Sequence, residues 1–334
     1  MGEGRSAKIF EIHWSRLVNN PHVLSCPANI MQEGELLIAG VGTLGCTWAK
    51  ASHSHVSEWV DLALIDADNL SMDGVRNANC LLLGDTPTEV GCAGMPQLAE
   101  ARMRSLQPIT SHFLERAELV LVLTGLGGGS GSGAAIEFAR QASQHGCMVI
   151  AVAGMPFEAQ SERQKIAEKA LMRLNAASDV CVELSLDRMA LQARERGVDW
   201  QQGSAWVEEL CEGLMRTLAK VGLINLDLMD LRAIVSKIGG STLLVAEGHC
   251  DEADELYRRA RSSPLAALSV DGARGCLLQV EGGPHMTLKQ VEGVADAFTQ
   301  GLSSDAQVII GARVSPELGD RMRVVAVVSG LPKD

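Results

Sequence analysis

The sequence predicts an α/β protein: a doubly wound parallel-sheet domain, a long central helix, and a smaller C-terminal α/β domain with a mixed sheet. Three observations carry this. Short apolar runs without polar alternation, such as Leu119–Leu123 and Met148–Ala153, recur between helical stretches from Glu35 to about residue 195, the pattern of parallel strands covered on both faces. One long stretch, Trp200–Gly222, then places Trp206, Leu210, Leu214, Leu218 and Val221 at spacings of three and four. Beyond it, strands and helices alternate again and finish with two strands close together in the chain, which predicts antiparallel pairing between them. The 334 residues suit about two domains. Their expected bounds are an N-terminal extension at 1–34, the parallel-sheet domain at 35–195, the central helix at 196–223 and the C-terminal domain at 224–331.

In order, Glu35–Ala39 is the first strand, and Gly40-Val-Gly-Thr-Leu-Gly45 leads into a helical segment to about Val60. Leu62–Ile65, Leu119–Leu123, Met148–Ala153 and Asp179–Leu184 are the next strands, with a helix at Ala134–Gln144 after a glycine-rich turn. Gly222 ends the central helix, and a helix near Asp227–Ile238 stops at Gly239-Gly240. Strand Thr242–Glu247, helix Asp251–Ser262, strand Cys276–Glu281, helix Leu288–Leu302 and strands Gln307–Val314 and Met322–Ser329 complete the chain.

Composition narrows the function. Hydrophobic residues at 46% and charged residues at 21% are the balance of a folded globular chain. Aromatics are 3%, so Ala, Val, Leu and Ile must fill the core. A net charge of −12, from 29 basic and 41 acidic residues, argues against broad electrostatic binding of nucleic acid or anionic membrane. No apolar run approaches the roughly 18–20 residues that span a bilayer, and Met1–Asn29 has charged residues but no apolar segment, so no secretory leader is expected. The nine cysteines are odd in number and form no C-x-x-C pair. They read as reduced thiols of a cytoplasmic protein, with no disulfide framework and no metal site. His53 and His55 read as a solvated helix face.

The most informative stretch is Thr124-Gly-Leu-Gly-Gly-Gly-Ser-Gly-Ser-Gly133, which follows an apolar strand and opens a helix. Glycines let backbone approach a ligand, and free N–H groups at a helix start face an anion. Ser130 and Ser132 add hydroxyls, so the run is built as a phosphate cradle. No Lys follows the last glycine, which excludes a Walker A loop. Gly40, Gly42 and Gly45 form a second glycine loop in the G-x-G-x-x-G register, which raises a dehydrogenase reading. No acidic ribose-binding residue of the right spacing accompanies it. Asp227 and Asp230 stand three apart and share a face if a helix begins there. They could orient water near a phosphate, or merely cap the helix and favour its dipole.

Together these pieces resemble the tubulin superfamily, and its FtsZ branch most closely, from about Glu35 to Leu331. Gly127-Gly-Gly-Ser-Gly-Ser-Gly133 resembles the signature GGGTGTG with both Thr replaced by Ser, and Gly222-Leu-Ile-Asn-Leu-Asp-Leu-Met-Asp230 resembles the family's synergy loop. Ser263-Pro-Leu265, Gly282-Gly-Pro284 and Glu317-Leu-Gly-Asp320 match further family motifs. The resemblance implies a protein that binds GTP or GDP with Mg²⁺ and polymerises head to tail. It implies that Gly127, Gly128, Gly129, Ser130, Gly131, Ser132 and Gly133 hold phosphates. Asn225, Asp227 and Asp230 of the next subunit would then activate water. Asp68 matches an Asp of the loop after the second strand, and Trp200 an aromatic near the base.

The chain also departs from the family pattern. Thr43 and Leu44 replace two glycines of the first loop, Thr47 an Asn, and Met95 an Asn of the third loop, Gly91-Cys-Ala-Gly-Met-Pro96. Gln160 and Gln164 stand where a ribose-binding Glu and a phosphate-binding Arg are expected, with Glu158, Glu162 and Arg163 close by. The guanine-reading Asp falls at Ser204 or Ala205, which weakens discrimination of GTP. With its last residue at Asp334, the chain is expected to lack the family's long linker and C-terminal peptide. Two expectations follow: a GTP hydrolase whose site spans two subunits, or a non-enzymatic paralogue that forms filaments without a GTP cycle or regulates a true FtsZ.

Overall fold

The computed structural model describes residues 35–84, 91–195, 197, 205–219, 228–237, 239–263 and 269–332. The expectations for the 1–34 extension and for Trp200, Ser204, Asn225 and Asp227 lie outside these residues.

Apolar strands dictate the first domain. β1 (Leu36–Val41), β2 (Asp61–Asp66), β3 (Asn79–Leu82), β4 (Leu119–Gly125), β5 (Met148–Met155) and β6 (Val180–Ser185) form one parallel sheet in the order β3-β2-β1-β4-β5-β6. Its central strands β1, β4 and β5 are almost wholly buried, as unalternated runs require. The sequence reading found five strands and missed β3, a short edge strand with a mixed burial pattern and no clear periodicity.

Helices cover both faces. α1 (Gly42–His53) begins directly after β1 and ends seven residues before Val60, where turns replace the expected helix. α2 (Pro96–Ser105), α3 (Gln107–Leu114), α4 (Gly129–Gln144), α5 (Ser161–Ala177) and α6 (Leu186–Glu195) follow. α4 starts at Gly129 rather than Ala134, so the glycine run is itself the helix's first turn.

α7 (Ala205–Ala219), the described part of the central helix, lies between the two sheets. Val207, Leu210, Cys211, Leu214 and Met215 are all buried there. Fully burying a large apolar side chain is worth about 1.5–3 kcal/mol, so this helix is an apolar joint between the domains. Gly213 permits the close approach: a Cβ there would stand 2.5 Å from Val325 Cγ2.

The second domain holds α8 (Leu228–Val235), β7 (Gly240–His249), α9 (Ala253–Ser262), β8 (Gly275–Gly282), α10 (Leu288–Thr299), β9 (Gln307–Val314) and β10 (Arg321–Leu331). The sheet order is β7-β10-β8-β9. The expected pairing of the last two strands does not occur. β9 pairs parallel with β8, and β10 inserts antiparallel between β7 and β8. The cause is a crossover through α10, which sets β9 parallel to β8. The turn Pro316–Leu318 then carries the chain past the end of β8. It passes at Gly283, where a Cβ would stand 1.7 Å from Gly319 O. The motifs Gly282-Gly-Pro284 and Glu317-Leu-Gly-Asp320 thus form one packed crossing.

Candidate functional site

Two glycine turns meet at the carboxyl edge of the parallel sheet. Gly42 opens α1 with φ +74°, a conformation that disfavours any side chain. A Cβ on Gly42 would lie 3.0 Å from the Gly131 nitrogen. Thr124, buried at the end of β4, joins the turns: its hydroxyl lies 3.1 Å from Val41 O and 3.2 Å from Gly131 O. Gly40 and Gly45 serve packing, since a Cβ on Gly45 would stand 2.2 Å from Leu123 O and one on Gly40 2.6 Å from Gly45 O.

The second turn has its own division of labour. Gly127, at φ +88°, donates its N–H to Ser132 Oγ at 2.8 Å. Gly131 and Gly133 are demanded by neighbours, because a Cβ would come within 2.1 Å of Gly125 O and 1.9 Å of Pro96 O respectively. Gly128 caps α4 without any side-chain hydrogen bond, so the first N–H groups of the helix keep no side-chain partner at the cap. Ser130 Oγ is buried and has no hydrogen-bond partner. A buried unpaired hydroxyl beside a positive helix end is what a phosphate oxygen would satisfy.

The neighbouring loops complete the edge. Asp68 caps a single helical turn, Asn69–Met72, by accepting from Leu70 N–H at 3.0 Å. Sequence reasoning passed over Asp66, which is buried and accepts from the Thr43 hydroxyl at 2.9 Å and from Ala67 N–H at 2.7 Å. Thr43 is therefore engaged with the strand end, and Leu44 packs over Gly125 and Gly154. Cys46, beneath the first turn, has its thiol pushed up to about 12, by burial first and by the charge of Asp66 second. Cys92 and Ala93 in the third loop both hold positive φ, of 48° and 51°. Such conformations cost on the order of 1–3 kcal/mol and concentrate at functional sites.

Arg163 stands where the expected Arg shifts by one position. Its Nε donates to Gly127 O at 3.3 Å, while Gln164 is turned away to donate to Pro156 O. A cavity of about 440 Å³ lies beside the turn, walled by Met95, Pro96 and Ser132 and by Lys165, Lys169 and Arg173 along α5. His53, expected on a solvated face, is half-buried with Nε2 2.7 Å from Val60 O.

Asp230 lies elsewhere. It sits in the first turn of α8, and the next turn's Arg232 donates to Gly146 O at 2.7 Å, just before β5 begins. That contact sets α8 at the amino edge of the sheet, while the glycine turns occupy the carboxyl edge. The eight residues of β5 separate the two edges by about 26 Å at ~3.3 Å per residue.

The fold and site define a two-domain α/β protein with a candidate anion cradle at one edge of its parallel sheet and a candidate acidic helix start at the other. Residues 35–192 match the model of the tubulin/FtsZ family GTPase domain, and residues 225–332 that of the FtsZ family C-terminal domain. Cell division protein FtsZ 1 of Archaeoglobus fulgidus is 30% identical over 299 residues, covering 88% of this chain and 81% of that protein. Cell division protein FtsZ 2 of Methanocaldococcus jannaschii is 26% identical over 308 residues, covering 90% and 80%. Among solved structures, an empty FtsZ dimer of M. jannaschii superposes with a TM-score of 0.79 at 23% identity, covering 96% of this chain and 92% of that one. A GTPγS-bound protofilament of CetZ2 from Haloferax volcanii gives 0.73 at 21%, covering 90% and 94%. The chain belongs to the tubulin/FtsZ family. Among the described residues, no helix is long and apolar enough to cross a membrane.

Proposed function

We propose that this chain binds a guanine nucleotide in the paired glycine turns, assembles head to tail, and hydrolyses GTP at a site completed by the neighbouring copy. The observation that carries this is the opposition of the two half-sites. Asp230 lies at the amino edge of the sheet and the cradle at its carboxyl edge, so Asp230 cannot serve the cradle of its own chain. Stacking one copy on the next brings the two edges together, and such heterologous contacts grow open filaments. The CetZ2 relative is a protofilament with GTPγS bound, which supports the same arrangement here.

Gly42, Gly127, Gly128 and Gly129 would present backbone to the phosphates, with Ser130 donating its unpaired hydroxyl and Arg163 adding positive charge. Mg²⁺ would accompany the phosphates and neutralise part of their charge. Asn225, Asp227 and Asp230 of the adjacent copy would orient the attacking water, and one of the two carboxylates would accept its proton.

A second reading keeps the filament and drops the nucleotide cycle. Leu44 favours it, because its side chain fills space over Gly125 at the mouth of the second turn. A regulator that co-assembles with an FtsZ paralogue belongs to this reading.

Two measurements decide between them. Chromatography of the denatured supernatant is expected to find guanine nucleotide released from the purified protein. GTP turnover should rise more steeply than linearly with protein concentration, and Asp230→Ala should cut it about 10²–10⁴-fold while leaving nucleotide binding intact. Filaments without turnover at any concentration establish the second reading. Turnover proportional to monomer and indifferent to Asp230→Ala would refute the composite site.

A further inference from the structure

We propose that His249, Cys250 and Asp251 form a surface binding site for a zinc-class divalent metal ion, in the second domain and independent of the nucleotide cradle. Three consecutive side chains in a strand point alternately to opposite faces. Here β7 ends at His249 and a turn follows, so the three donors converge: a ring nitrogen, the Cys250 sulfur and an Asp251 carboxylate oxygen all lie within 4.8 Å of one another.

The surroundings orient these donors as a metal site needs. His249 Nδ1 lies 3.8 Å from Asp251 Oδ2 and accepts a long contact from Asp251 N–H at 3.3 Å, so Nδ1 carries the lone pair on the cluster side. The opposite nitrogen, Nε2, faces Asp320 Oδ2 at 3.6 Å. A carboxylate behind the distal nitrogen fixes the tautomer and raises the basicity of a ligating imidazole. The Asp320 main chain adjoins the cluster, its backbone carbonyl accepting from Cys250 N–H at 3.1 Å.

Gln290 supplies the second support. Its Oε1 accepts from Thr287 N–H at 2.8 Å in the capping box of α10, which points its amide nitrogen at the cluster. That nitrogen donates to Cys250 Sγ at 3.1 Å and to Asp251 Oδ1 at 2.7 Å. Amide donors to sulfur and carboxylate stabilise both once they are anionic ligands. The nearby cations are occupied elsewhere: Arg321 pairs with Glu247, and Arg258 and Arg259 pair with Glu255. The Asp251 carboxylate and the Cys250 thiol therefore face the position beside the His249 ring, with these three arginines paired to other carboxylates.

The donor set selects the ion. Nitrogen, sulfur and oxygen together suit Zn²⁺ and similar transition metals, whereas Mg²⁺ and Ca²⁺ take oxygen ligands. Three protein ligands leave at least one coordination position for water. Binding would replace the long Asp251 N–H contact at Nδ1 and release the Cys250 thiol proton to solvent.

The test uses the full chain, freed of metal by chelation and titrated with Zn²⁺ against a chromophoric chelator, then with Co²⁺ by absorption. One equivalent of Zn²⁺ is expected per chain, with a sulfur-to-cobalt charge-transfer band and no competition from Mg²⁺. Cys250→Ser and His249→Ala should each weaken binding at least tenfold and remove or shift the band. Asp320→Asn should weaken binding about tenfold with the band retained. Circular dichroism verifies that these surface variants fold. No stoichiometric uptake at micromolar Zn²⁺, affinity unchanged by Cys250→Ser, or a band that follows Cys80→Ser instead would overturn the site.

Discussion

Gly42 and Gly131 are 89 positions apart in the chain, yet a Cβ on the first would stand 3.0 Å from the backbone nitrogen of the second. Two strand-to-helix turns thereby share one space, and neither can carry a side chain facing the other. The second turn is the less tolerant, since a Cβ on Gly131 would also lie 2.1 Å from Gly125 O. Gly131→Ala is expected to destabilise the nucleotide-free protein by about 1–3 kcal/mol, the usual cost of forcing extra volume into a packed interior. Urea unfolding without nucleotide measures it. Unchanged stability would mean that the turn yields, and that this glycine is required for ligand contact alone.

Ser130 offers a cleaner probe of the cradle. Its hydroxyl is buried and unpartnered, so Ser130→Ala removes a group that the free protein does not use. Stability should hold or rise by up to about 1 kcal/mol. Guanine-nucleotide affinity should fall about 10–100-fold, because a hydrogen bond to a charged group is worth about 1.5–3 kcal/mol. Calorimetry that finds equal affinity would remove Ser130 from the proposed phosphate contacts.

Behind the central helix, Arg313 and Glu281 form a buried ion pair. Ser315 also donates to Glu281, and Arg313 Nη1 donates to Arg216 O on α7 at 2.8 Å. Glu281→Ala should cost about 3–5 kcal/mol by stranding the guanidinium. The double change Glu281→Leu with Arg313→Met should recover much of that loss, because an apolar pair needs no solvation. A double variant as unstable as the single one would locate the cost in the other groups that face Glu281, the Ser315 hydroxyl and Arg323 at 3.8 Å, or in shape.

The buried thiols set an alkaline limit. Burial pushes Cys147 up to about 11 and Cys181, Cys211 and Cys276 up to about 12. For Cys181 and Cys211 a neighbouring carboxylate adds to this, Glu183 in the first case and Glu208 in the second. An unfolded thiol titrates near about 8.5. The folded chain thus holds protons that the unfolded chain releases, so this stability is complete below about pH 8.5 and is lost as pH rises toward the folded values. Denaturant midpoints should fall steadily across that window. At neutral pH, among the described cysteines, an alkylating reagent should modify exposed Cys80 first, with Cys46, Cys147, Cys211 and Cys276 protected, as peptide mass spectrometry can read.

Residues alone determined the class of this protein. Unalternated runs such as Leu119–Leu123 encode buried parallel strands, and the apolar spacing from Leu210 to Leu214 encodes a helix buried along one side, because both signals depend only on near neighbours. The glycine run from Gly127 to Gly133 and the string ending at Asp230 were legible for the same reason. Tertiary structure alone decided which glycine does what. Gly40, Gly45, Gly131 and Gly133 are required by backbone packed against them, whereas a Cβ on Gly128 would meet, among the described residues, just the Arg163 guanidinium at 3.8 Å. It likewise decided that Arg163 replaces Gln164 at the turn, that β10 enters between β7 and β8, and that Asp320 stands behind His249. Each of these is a contact between segments far apart in the chain. Local periodicity carries no record of such pairs, because the partner's position is set only when the sheets and helices have packed.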